Sequence, residues 1–198
     1  MRAAALALAA LLPAAAGAAE VTLQAARPKA TALQLRGTSA QEGWRFRVID
    51  AGREIQAFAV TTDAPQALPT MADADGDGAA DLWVPSIAGN ANTEYEIWRM
   101  DPATGRFGAA GSVSGFDFRH DGGYLVAIAR NGCCAVGYGF HRMQDGALAQ
   151  AFSIGTRFRE DGRVEACEVT PVTQRPPAEL RQRWCAPQAD GPRPGRRL

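Results

Sequence analysis

The chain has 198 residues, with 21 lysines and arginines against 21 aspartates and glutamates, so its formal charge is zero. That balance gives no electrostatic case for nucleic acid or an anionic membrane surface as partner. The length suits one domain with a substantial core, and nothing beyond the first residues is apolar for long enough to span a membrane.

Met1-Arg2 precedes an apolar run over 3–12 and a small-residue segment over 14–19 that offers A-x-A sites such as Ala16-Gly17-Ala18. A charged start, a short apolar stretch and a small-residue site read as a secretory signal peptide over 1–19, too short for a membrane span. The expected mature protein is periplasmic or secreted. It consists of one domain over 20–187 and a tail over 188–198 whose Pro, Gly and Arg content offers little to bury and predicts disorder. No cysteine lies near the cleavage site, so a lipid anchor is not expected.

Residues 21–23 and 32–35 read as short opening strands around Pro28. Residues 44–49 begin with the apolar–polar alternation of a half-buried strand, Asp50-Ala51-Gly52 is a turn, and 54–62 returns to complete a hairpin. Residues 64–69 are a loop leading to Asp73-Ala74-Asp75-Gly76-Asp77-Gly78-Ala79-Ala80-Asp81, after which an apolar run begins at Leu82.

Four aspartates at positions 1, 3, 5 and 9 of one loop are hard to hold together without a cation. Two carboxylates about 5 Å apart repel by roughly 3 kcal/mol at an effective dielectric of 20. Oxygen ligands at alternate positions suit Ca²⁺, which takes 6–8 oxygens in flexible geometry. The reading assigns side-chain ligands to Asp73, Asp75, Asp77 and Asp81 and a backbone carbonyl ligand to Ala79. A solvated acidic turn is the plainer alternative, and the spacing argues against it. The loop is not an EF-hand, because position 12 is Val84 rather than a bidentate Glu, and Pro65, Pro69 and Pro85 are poor flanks for helices. The pattern D-x-D-x-D-G-x-x-D-L entering a strand resembles the loops of FG-GAP and VCBS-type β modules.

Residues 82–85 form the strand leaving the loop, 89–93 a polar loop, 95–100 the next strand, and 101–105 a turn before Arg106-Phe107. Only one such unit is present, so no propeller can be built by repetition. Strands then follow over 124–129, 134–140, 147–154, 157–159 and 164–169, with turns at 144–146 and 161–162. Pro176-Pro177 can open one short helix over 178–184. Turn signals every 8–12 residues or so define an all-β fold, a compact antiparallel sheet domain (sandwich or distorted propeller-like meander) with one calcium loop and little helix.

No catalytic set assembles, and the chain reads as a non-enzyme. His120 and His141 fall in a turn and at a strand end, Ser114 and Ser153 lack a G-x-S-x-G elbow, and Glu160, Asp161 and Glu165 read as a charged hairpin turn. Four cysteines in an exported chain imply disulfides with three possible connectivities. In a simple meander the strand 147–154 separates Cys134 from Cys167 by about 9–10 Å, beyond disulfide reach. The favoured pairs are therefore Cys167–Cys185 and Cys133–Cys134.

Several segments occur in a telling order: Val48-Ile49-Asp50, Glu54-Ile55-Gln56, the aspartate loop, 95–107, Gly132-Cys133-Cys134, Tyr138-Gly139-Phe140 and Gly146-Ala147-Leu148. In this order the chain resembles periplasmic proteins related to bacterial lysozyme inhibitors and to immunity proteins that block peptidoglycan hydrolases. The resemblance implies export, calcium and a loop inserted into a hydrolase cleft. The expected partner loop is 87–93, with Asn90 and Asn92 as polar contacts and Tyr95 just beyond, since Asn, Gly and Tyr suit adaptable recognition loops. Two functions follow as expectations: a non-catalytic inhibitor of a peptidoglycan hydrolase, or a calcium-stabilised envelope binding or structural module of FG-GAP/VCBS type.

Overall fold

A computed structural model describes residues 18–187 and 193–198. The expected signal peptide lies almost wholly outside them. The strands form three antiparallel sheets. The first is a meander of β1 (Glu20–Arg27), β2 (Ala30–Ala40), β3 (Gly43–Asp50) and β4 (Arg53–Thr61). The second is a meander of β5 (Thr70–Ala72), β6 (Asp81–Ala88), β7 (Thr93–Asp101) and β8 (Arg106–Gly115). The third contains β9 (Asp117–Asp121), β10 (Tyr124–Arg130), β11 (Ala135–Gln144), β12 (Ala147–Phe158) and β13 (Val164–Pro171), with β14 (Arg196–Arg197) paired on the outer side of β9. One helix, α1 (Ala178–Trp184), follows β13. Among the described residues the all-β expectation therefore holds, and so does the one short helix.

Sequence alternation explains how the sheets stack. Leu33, Leu35, Trp44, Phe46 and Val48 of the first sheet meet Leu82, Val84, Met100 and Phe107 of the second. Trp83, Ile97 and Val113, on the second sheet's other face, meet Leu125 and Leu148 of the third. Tyr138, Phe140, Phe152 and Ile154, on the far face of the third sheet, pack on Leu180 and Trp184 of α1. The second sheet is thus covered on both faces, which is why residues 81–86 of β6 are all buried and why 82–85 within them read as a continuous apolar run. Burying each such Leu, Val or Phe contributes about 1.5–3 kcal/mol.

Turn chemistry and a covalent tie set the ends of these elements. Asp145 and Gly146 join β11 to β12 with φ of 52° and 83°, the conformation a two-residue hairpin turn needs. Cys167 and Cys185 form the expected disulfide, with Cα atoms 5.5 Å apart, tying β13 to the end of α1. Asp121 of β9 holds the same helix by accepting from Trp184 Nε1 at 2.7 Å and from both Nε and Nη2 of Arg183 at 3.0 and 2.7 Å.

Four expectations need correction. Residues 108–121, left unassigned by their glycines, alanines and serines, form most of β8 and all of β9; ladder pairing to β7 and β10 overrides their low β propensity. The strand expected to break after 154 runs unbroken to Phe158, because Gly155 is paired on both sides, with Gly137 and Glu168. The tail expected to be disordered lies outside the described residues only over 188–192. Its end pairs Arg196 with His120 and Arg197 with Arg119, using the open edge of β9, and Arg197 adds an ion pair to Asp117 at 3.1 Å. Finally, Cys133 and Cys134 are exposed free thiols in the β10–β11 connection, so the second disulfide is not formed in this structure; the two Sγ atoms stand 2.7 Å apart.

Candidate metal centre

The aspartate loop joins β5 to β6 and is closed by its own side chains. Asp73 accepts from the N–H groups of Gly76 at 2.7 Å and Gly78 at 3.0 Å. Asp75 accepts from Asp77 N–H at 3.1 Å, and Asp77 from Ala79 N–H at 2.8 Å. Gly78 turns the chain with φ of 86°, a conformation costly for residues with a Cβ, and an added Cβ there would lie 3.3 Å from Pro28.

Asp81 opens β6 and is fully buried. Its two carboxylate oxygens accept from the N–H groups of Ala74 and Met100, each at 2.8 Å. Burial pushes this carboxyl up to about 7, helped by the charges of Asp75 and Asp77 and opposed by the two N–H donors. A buried carboxylate aimed into a cluster of like charge is stabilised by a cation.

Asp73, Asp75 and Asp81 each place a ligand oxygen within 4.8 Å of the others. Two oxygens bound to one ion at 2.3–2.6 Å lie at most about 5 Å apart, so the three fit a single metal ion. Asp77 stands apart from the three. Its Oδ2 is 2.9 Å from Arg99 Nη2, and Arg99 Nε also contacts Asp75. Burial raises the Asp77 carboxyl, and the charges of Asp75 and Asp73 add to this, while the Ala79 N–H and Arg99 oppose it. Ala79, the expected carbonyl ligand, is buried with its N–H on Asp77.

Arg99 and His120 belong to this centre, and local spacing gave no sign of either. Arg99 arrives through the β6–β7 register, in which Leu82 pairs with Trp98. His120 Nε2 donates to the carbonyl of Asp73 at 2.8 Å from β9. The loop touches the first sheet as well, through Ala80 N–H on the Ala26 carbonyl at 2.9 Å. All three sheets therefore converge on one nine-residue loop.

The expected partner loop is built differently from its reading. Ile87 and Asn90 are exposed. Asn92, however, clasps β10, its Nδ2 donating to the Arg130 carbonyl at 3.1 Å and its Oδ1 accepting from Arg130 N–H at 2.8 Å. Tyr95 is half-buried, edge-on to Trp83 and Phe118. Both side chains are engaged by the fold and are partly exposed. Comparison with protein-family models, curated proteins and solved structures finds no match to this chain.

Proposed function

We propose that this chain is an exported, non-catalytic binding module whose three sheets are locked together by Ca²⁺ at Asp73, Asp75 and Asp81. One observation carries the reading: the trio of carboxylates sits where Ala26, Met100 and His120, one from each sheet, meet the same loop. An ion there adds a further tie between sheets already joined by packing and by hydrogen bonds such as those of Gln56 to Phe107 and of Asn92 to Arg130. Oxygen-only ligands favour calcium or another hard cation over zinc or copper. Export is supported by the leader-like start and by a disulfide, which persists in oxidising compartments. Among the described residues no helix is long and apolar enough to cross a membrane.

The partner that the resemblance implies is a peptidoglycan hydrolase, with this chain as its inhibitor in the periplasm. The test is lysis of cell-wall substrate by candidate muramidases and other peptidoglycan hydrolases, with the protein added in calcium and then in chelator. Calcium-dependent inhibition supports the inhibitor. Calcium-dependent stability without inhibition of any hydrolase leaves an envelope binding module and removes the inhibitory role.

A further inference from the structure

The third sheet has two unlike faces. Tyr138, Phe140, Phe152 and Ile154 crowd the face under α1. The opposite face begins with Leu125 and Leu148, which pack on the second sheet, and then runs out onto small residues. Ala127 pairs with Gly139, Ala129 with Gly137, Gly137 with Gly155 and Gly139 with Ser153. Three adjacent strands thus share a floor with nothing larger than a methyl or hydroxymethyl group. The Asn131 amide lies over Gly137 and the His141 ring over Gly139, and beyond them the second and third sheets bound a cleft of about 540 Å³.

The protein's own packing does not explain this floor throughout. At Gly139 a Cβ would meet the His141 ring at 2.8 Å, so the ring lying over that position requires glycine. At Gly155 a Cβ would meet nothing within 4 Å, and the backbone there is not in the left-handed region. A mid-strand glycine weakens a strand and marks close approach of another backbone or ligand. Among the described residues, nothing approaches Gly155 on the side a Cβ would occupy.

The walls supply the chemistry. Glu94 of β7 and Glu168 of β13 line the cleft together with the hydroxyls of Ser112, Ser114 and Thr170, and among the described residues no lysine or arginine lines it. In a chain with equal numbers of basic and acidic residues, this is a local excess of negative charge. None of the ion pairs among the described residues uses Glu94 or Glu168.

The geometry points to an extended peptide segment bearing lysine or arginine as the occupant of this cleft. Its backbone lies against the open position at Gly155, beside Asn131 and His141, and its basic side chains face Glu94 and Glu168. Charge complementarity selects the basic side chain, and the open space at Gly155 admits a main chain where a bulkier residue would exclude it. This inference is independent of which protein the partner is and of the ion in the aspartate loop.

The test is fluorescence anisotropy of a labelled Gly-Lys-Gly-Lys-Gly peptide against the purified full chain in calcium, with the Glu counterpart and chitohexaose as competing probes. Expected is saturable one-to-one binding of the lysine peptide that weakens with salt, and no binding of the Glu peptide. Gly155→Leu, which fills open space, and Glu94→Gln/Glu168→Gln should each weaken binding at least tenfold without lowering the melting temperature. Asp77→Asn, in the aspartate loop, should leave binding unchanged. Lysine-peptide binding untouched by both cleft variants, or absent with the native protein, overturns the inference. Displacement by chitohexaose with no charge preference assigns the cleft to a glycan and overturns it as well.

Discussion

Arg99 Nη2 stands 2.9 Å from Asp77 Oδ2, reaching the aspartate loop from the adjacent strand. The guanidinium therefore neutralises the carboxylate that lies outside the metal-ready trio, and it also touches Asp75, which lies within it. A metal ion bound by the trio would compete with Arg99 for Asp75, whereas Asp77 would remain with the arginine.

That division gives a prediction about metal removal. A ligand at one hundred times its dissociation constant adds about 2.7 kcal/mol to the folded state. In a domain of this size that corresponds to about 5–10 °C in melting temperature. Chelator should lower the melting temperature by this order, Asp81→Asn and Asp75→Asn should abolish the response, and Asp77→Asn should keep most of it. Melting curves that superimpose with and without calcium would refute the metal centre, and loss of the response in Asp77→Asn would restore Asp77 as a ligand.

A second prediction concerns acid. Burial holds the His141 imidazole below its ordinary value of 6.5, against the pull of the Gly139 and Leu125 backbone groups. The unfolded chain takes up a proton as pH falls through about 6.5, while the folded chain resists it until lower pH. By linkage the native state loses stability over that window and gains none of it above. Urea midpoints of the native protein should fall between pH 7 and 5 more steeply than those of His141→Gln. Parallel pH profiles for the two proteins would remove His141 as the cause.

The thiols give a third. Peptide mapping without reductant should link Cys167 to Cys185 and leave two alkylatable thiols in the peptide containing Cys133 and Cys134. Cys167→Ser/Cys185→Ser should cost about 3 kcal/mol for an 18-residue separation on the chain-entropy account. It should also shift the emission of the buried Trp184 to the red. A Cys134–Cys167 peptide would contradict the sheet order, in which β12 lies between them.

A fourth separates scaffold from contact in the loop after β6. Asn92 makes two hydrogen bonds to the backbone of Arg130, so Asn92→Ala should destabilise by about 1–3 kcal/mol, while exposed Asn90→Ala should leave stability within about 0.5 kcal/mol. Equal effects of the two substitutions would show that the clasp adds nothing.

The features legible in the sequence were those encoded locally. Alternation at 44–49, the Asp145-Gly146 turn and the Pro176-Pro177 opening of α1 depend on neighbours a few residues away, and they appear where expected. The regular spacing of aspartates was enough to place Asp73, Asp75 and Asp81 around one point. Partners set by strand register were not legible. Arg99 and His120 reach the loop from β7 and β9, and no local pattern announces which strands lie beside it. The fold contacts of Asn92 and Tyr95 were not legible for a related reason: an Asn or a Tyr reads the same in sequence whether or not it also meets, as here, the backbone of β10 and the ring of Trp83. Residues 108–115 went unassigned because Gly, Ala and Ser become a strand only when β7 is already beside them.

The first two sheets, and most of the third, are built from neighbours in sequence, so hairpin closures can form each of them separately and early. The aspartate loop is one place where all three meet, and its anchors come from positions as far apart as Ala26 and His120, so its contacts are expected to close after the hairpins it joins. Amide hydrogen exchange should register this directly. With calcium, the N–H groups of Ala80 and Met100, which bridge the loop to the first sheet and to β7, should open only with the whole molecule. In chelator they should exchange by a partial opening, at rates well above those of the amides at the centre of β11 and β12. Occupancy of one small loop would then decide whether this chain unfolds in a single step or sheet by sheet.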